Sequence, residues 1–181
     1  VCFLLTTLWS DLGSTALERN VVAAEINDYK NIWCNASNGD VRPRRLVAND
    51  VQMRHESERD WLHHEIKRNE GAELQTVVLT HHAPSLHFAS GLCSRAYGTS
   101  LEHLMLPHVC AWLFGHIHDS VAKRLCTEGG TLCAANCRGY PSKLCMDRVA
   151  DAAYDPGLVL EVGAAGARLV GRSRLETFEP E

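Results

Sequence analysis

Apolar residues fall along this chain in short unbroken runs and one long helical stripe. The runs at 76–80 (TVVLT) and 109–114 (VCAWLF) are apolar at successive positions, as expected for strands of a parallel sheet covered on both faces. A similar run, 2–9, opens the chain. Between 51 and 69 the period changes: Val51, His55, Leu62 and Ile66 share one face with Trp61 at its edge, which predicts a helix ended by Glu70-Gly71. His55 then belongs to the core, while His63 and His64 lie toward solvent.

Turn and capping residues fill in the rest. Ser14 or Thr15 is placed to cap a helix through Ile32, and the aperiodic stretch 34–50 reads as loop. Thr99 or Ser100 opens a short helix to about Met105. Residues 121–125 and 131–135 read as a strand pair joined at 127–130, and 157–162 with 167–171 as a closing hairpin around Gly163-Ala164-Ala165-Gly166. Helices lie between the early strands and hairpins come late. The expectation is one α/β domain over 1–181.

Composition narrows the function classes. At 181 residues and 45% hydrophobic, the chain can bury a sizeable core. A formal charge of −4 gives no basic field for nucleic acid or a membrane surface, and no segment reads as membrane-spanning. The cluster Arg42-Pro43-Arg44-Arg45 reads as a solvated loop. Eight cysteines without framework spacing and without C-x-x-C read as reduced thiols in a cytoplasmic setting. The sequence starts at Val1 within an apolar run, which reads as an interior strand whose preceding sequence has been removed.

Candidate chemistry sits where the two apolar runs end. Leu113-Phe114-Gly115-His116-Ile117-His118 places two histidines two positions apart, and in an extended segment both would project to one side. The run 76–80 leads straight into His81-His82-Ala83-Pro84. Ligand sites of open α/β sheets lie beyond the carboxyl ends of strands, so the two motifs together point to a metal site.

These motifs carry a resemblance. Thr80-His81-His82-Ala83-Pro84, followed by Gly115-His116-Ile117-His118, resembles the carboxyl-terminal half of the calcineurin-like metallophosphoesterases. Thr7 to Asp11, Asn27-Asp28-Tyr29, His55 through Leu62, Tyr97 through Glu102, Asn136 to Pro141 and Leu158 to Val162 resemble further segments of bacterial-type members. The resemblance implies a metallophosphoesterase-like α/β sandwich, a phosphate-ester substrate and two divalent ions (Mn, Zn or Fe). It implies that His81 and His116 bind the second metal and His118 the first. His82, diverging from its neighbour, would stand behind the ligands or touch substrate, and Asp119 is a candidate hydrogen-bond acceptor for a ligating imidazole.

The family's amino-terminal Asp-x-His, Gly-Asp-x-x-Asp and Gly-Asn-His-Asp/Glu motifs are absent from this sequence, so no catalytic residue is identified. Without the bridging carboxylate the chain is expected to be inactive alone, a partial phosphoesterase domain lacking its amino-terminal metal-binding half. Two other readings stay open: a non-catalytic interaction module on the same fold, and a mononuclear zinc hydrolase using His81, His116 and His118 with an open fourth position.

Overall fold

The computed structural model describes residues 1–35, 42–91, 93–125, 130–139 and 153–171. In chain order the elements are β1 (Cys2–Thr6), α1 (Ala16–Glu25), α2 (Asn27–Asn31), β2 (Trp33–Cys34), β3 (Arg44–Arg45), α3 (Ala48–Gly71), β4 (Thr76–Thr80), α4 (Ser94–Tyr97), β5 (Val109–Phe114), β6 (Val121–Arg124), β7 (Leu132–Ala135), β8 (Val159–Gly163) and β9 (Gly166–Val170). Short 3-10 turns lie at Leu86–Phe88 and Glu102–Leu104.

The apolar runs form a five-stranded mixed sheet in the order β1-β4-β5-β7-β6, so the class is α/β. β1, β4, β5 and β7 are parallel neighbours, and β6 closes one edge antiparallel to β7. Successive side chains of a strand face opposite ways, and the register shows it. Val78, Trp112 and Cys133 align across three strands and pack with Leu62 and Ile66 of α3. Val77, Ala111 and Leu132 face the other way, under Leu160, Val162 and Leu169 of the β8-β9 hairpin. Both faces are thus covered at the centre, as the unbroken apolar runs require.

β1 lies at the other edge of the sheet, and there coverage stops. Leu4 is buried, but Phe3 and Leu5 on the opposite face are 57% and 63% exposed.

Several sequence expectations need correction. The helix expected through Ile32 is broken at Ile26, whose φ −82°, ψ 133° is extended, so α2 starts afresh and turns Asp28 toward the sheet end. Thr15 does cap α1, exchanging bonds with Glu18 in a capping box. The stretch taken as loop contains a small β2-β3 ribbon. Beyond it, Arg44 grips Asp50 with two bonds of 2.6 and 2.7 Å, and Asp50 accepts the Val47 N–H at the start of α3. The helix expected at 99–105 is only a 3-10 turn. The joint expected at 127–130 lies mostly outside the described residues.

Among the described residues no helix is long and apolar enough to cross a membrane. Cys2, Cys34, Cys93, Cys110 and Cys133 form no disulfide.

Candidate metal centre

Two neighbouring parallel strands deliver the two histidine motifs to one place. β4 ends at Thr80 and β5 at Phe114, and the Gly115 N–H donates to the His81 carbonyl at 3.0 Å, joining the turns. A Cβ at Gly115 would meet His81 Nδ1 at 3.5 Å, an ordinary van der Waals contact, so the approach does not itself demand glycine. Ring centroids of His81 and His116 are 4.9 Å apart and those of His82 and His116 are 4.3 Å apart.

The β4 turn is anchored by main-chain bonds. The N–H groups of His81 and His82 both donate to the Thr7 carbonyl, at 3.1 and 3.3 Å. Trp112 Nε1 donates to Thr80 Oγ1 at 3.0 Å, and that hydroxyl donates to the His82 carbonyl at 2.7 Å. His82 is buried, with its Nδ1 3.4 Å from the Thr7 carbonyl. Only an Nδ1–H can donate to that carbonyl, which leaves Nε2 with its lone pair.

The β5 turn is built differently. The sequence pattern suggested an extended His-x-His, but the strand stops at Phe114 and both histidines are left-handed, His116 at φ 63° and His118 at φ 62°. The bond from the Ile117 N–H to the Gly115 carbonyl (2.7 Å) curls the chain and sends Ile117 into the core. Left-handed backbone at a non-glycine residue costs of order 1–3 kcal/mol and persists where surroundings enforce it. Of the five such residues described, four border the histidines: Leu8, Trp9, His116 and His118, with only Glu73 elsewhere. The strain is therefore concentrated at this end of the sheet.

His55 supports the Leu8–Trp9 turn from below. It is buried, and its Nδ1 donates to the Leu8 carbonyl at 2.9 Å, which is the role of a satisfied core histidine. His63 and His64 are exposed on α3, away from the strand ends.

The donor atoms of Asp28, His82 and His116 lie within 4.8 Å of one another. Opposite ligands of an octahedral ion at 2.0–2.1 Å would be about 4.2 Å apart, so a small side-chain rotation closes the set. Two imidazoles and one carboxylate form a donor set found in zinc hydrolases.

Electrostatics favour the neutral, ligating form of both rings. Burial holds His82 well below the ordinary imidazole range, helped by His116 and His81. Burial also pushes His116 down to about 4. A backbone hydrogen bond to Ala96 opposes that shift, while the buried Nε2 of His116 has no hydrogen-bond partner among the described residues. A buried ring nitrogen without a hydrogen-bond partner, on a residue of this donor set, is a group that a metal ion would satisfy. Burial raises the Asp28 carboxyl, against the pull of His81 and His118 nearby. The residues present fit a divalent ion.

Of the expected ligands, the structure places His116 in the donor set, while His81 is exposed at its rim and His118 lies beside Asp28. His82, expected behind the ligands, is in the set. Asp119 is exposed and lines a cleft next to the site. Asp28 was missed. Its only signal was membership of Asn27-Asp28-Tyr29, a segment that had drawn notice without a role.

Comparison with protein-family models, with curated proteins and with solved structures finds no match.

Proposed function

We propose that this protein is a metal-dependent hydrolase of phosphate esters, built on a metallophosphoesterase-like sandwich and working with one ion per chain. The convergence of Asp28, His82 and His116 within 4.8 Å, at the carboxyl ends of two parallel strands, carries the reading. The histidine motifs supply the phosphate-ester class through the family they resemble. A two-ion version is less well supported, because one carboxylate among four imidazoles offers too little negative charge to hold two dications close together. A reducing, cytoplasmic setting accords with the free thiols.

A divalent ion, when bound, supplies a Lewis acid that polarises a phosphoryl oxygen and lowers the pKa of water. The chain's residues do the rest. Asp28 provides the anionic ligand, and its charge offsets part of the ion's. The Thr7 carbonyl fixes the tautomer of His82 and leaves Nε2 with its lone pair for a metal. His81, exposed and 4.9 Å from His116 between ring centroids, is placed to hydrogen-bond a phosphoryl oxygen and to carry a proton to or from solvent. The expectation of inactivity rested on the missing carboxylate that bridges two ions; the one-ion reading needs no bridge, and Asp28 gives that ion a negative ligand.

The test is metal analysis of the chain after dialysis against Zn²⁺ or Mn²⁺, with hydrolysis of 4-nitrophenyl phosphate. One ion per chain is expected, with affinity about 100-fold or more weaker in Asp28→Asn and His116→Ala, at or beyond the loss seen for outer-shell partners. Turnover should fall by a similar factor, the scale of one electrostatic contact in a transition state. Turnover equal in the chain and its His116→Ala variant, or no retained metal, overturns the proposal.

A further inference from the structure

A cleft of about 640 Å³ opens beside the histidines, within the size range of small-molecule sites. Its walls include Ile26, Phe88, Tyr97 and Ile117, and its charged lining residues are Glu25 and Asp119. The cleft neighbours the donor set. Ile26 lies two residues before Asp28, Ile117 lies between His116 and His118, and the Tyr97 ring centroid is 5.1 Å from that of His116. A phosphate held at the metal centre would therefore extend its alcohol portion into this space.

The charge of the lining decides what that alcohol can be. Among the described residues the lining has two carboxylates and no lysine or arginine. Lys30, the nearby cation, is tied to the Glu25 main chain, its Nζ donating to the carbonyl at 3.1 Å. A second phosphate or a carboxylate on the alcohol would meet like charge. An ammonium would meet two carboxylates and the aromatic residues Phe88 and Tyr97 in the lining, groups of the kinds that attract cations.

We propose that the cleft selects phosphate esters of alcohols that pair an apolar or aromatic body with an amine or quaternary ammonium, and rejects those with a further anionic group. Naming this substrate class rests on the phosphoester reading above, but the cleft can be tested separately. Benzyltrimethylammonium and phenylacetate are aromatic probes of similar size and opposite charge, and neither carries a phosphate. Each is titrated into the full chain, with amide NMR shifts followed at Tyr97, Ile117 and Asp119. The ammonium is expected to bind about tenfold more tightly, as two exposed charge contacts allow, with shifts confined to the cleft. In Glu25→Gln, Asp119→Asn the preference should shrink to within about twofold.

Equal binding, tighter binding of phenylacetate, no shift with either probe, or an unchanged preference in the double variant overturns the proposal. If the ammonium preference holds while the metal and turnover tests fail, the cleft stands as a cation site and the phosphoester reading falls. If turnover holds while the preference is absent, the reverse is true.

Discussion

The two histidine turns make an instructive pair. Both follow buried parallel strands, both carry two histidines, and one hydrogen bond joins them. The β4 turn keeps φ negative at both histidines and is fixed by Thr7, Thr80 and Trp112. The β5 turn is left-handed at both histidines and leaves the buried Nε2 of His116 without a hydrogen-bond partner among the described residues. One turn is a satisfied platform, and the other stores strain and an unmet hydrogen-bonding need. Binding energy from a ligand therefore has most to relieve at the β5 side.

Glycine substitution separates them with opposite signs. His82→Gly should cost about 2–5 kcal/mol in urea unfolding, since it empties a buried site and loosens an ordinary backbone. His118→Gly removes a left-handed strain and should be neutral or stabilising by up to about 1 kcal/mol, while weakening the site. Destabilisation of the same size at both positions would erase the distinction.

Removing the hydroxyl relay tests the platform alone. Thr80→Val leaves Trp112 Nε1 without its acceptor and the His82 carbonyl without its donor, at a cost of about 1–3 kcal/mol. Chemical denaturation should show this loss with metal binding weakened less than in Asp28→Asn. A neutral result would mean that water replaces the hydroxyl and that the platform is not held this way.

Acid separates the turns more subtly. His82 and His116 have folded-state pKa values below the ordinary imidazole value near 6.5, so below that pH the unfolded chain takes up protons that the folded chain refuses. Metal-free stability should therefore fall as pH drops below about 6.5, by at most about 1.4 kcal/mol per pH unit for each such histidine. The His116 share ends near pH 4, where its folded form also protonates, and the His82 share has the same sign, burial being its first cause. Subtracting the curves of His116→Gln and His82→Gln from that of the parent checks this. Coincident difference curves would show the two rings to be equally accessible to protons.

Much of this was legible in the sequence, for physical reasons. A parallel strand buried on both faces cannot alternate, so the runs at 76–80 and 109–114 announced both their type and their place in the sheet. The stripe Val51, His55, Leu62, Ile66 announced a helix packed on that sheet, and all four are buried. The site was half legible, because histidines at strand ends carry a positional signal. Asp28 carried none: it is a single acidic residue in an apparently continuous helix, and only the break at Ile26 brings it to the rings. The left-handed turns were equally hidden. Histidine tolerates that conformation without advertising it. The bonds that accompany it, from the Gly115 N–H to the His81 carbonyl and from the Ile117 N–H to the Gly115 carbonyl, are main-chain contacts that no side-chain pattern records.

The place of β1 at the sheet edge has a consequence in time. Its partner strand lies far along the chain, with Cys2 paired to Thr76. At ribosomal speeds of about 5–20 residues per second, the first strand waits about 4–15 s before that partner exists. Throughout that interval Phe3 and Leu5, which remain exposed even in the finished fold, are presented on an extended segment with unmet backbone groups. Until that partner emerges, the strand has the character that chaperones holding apolar segments recognise, and the sheet closes onto it late.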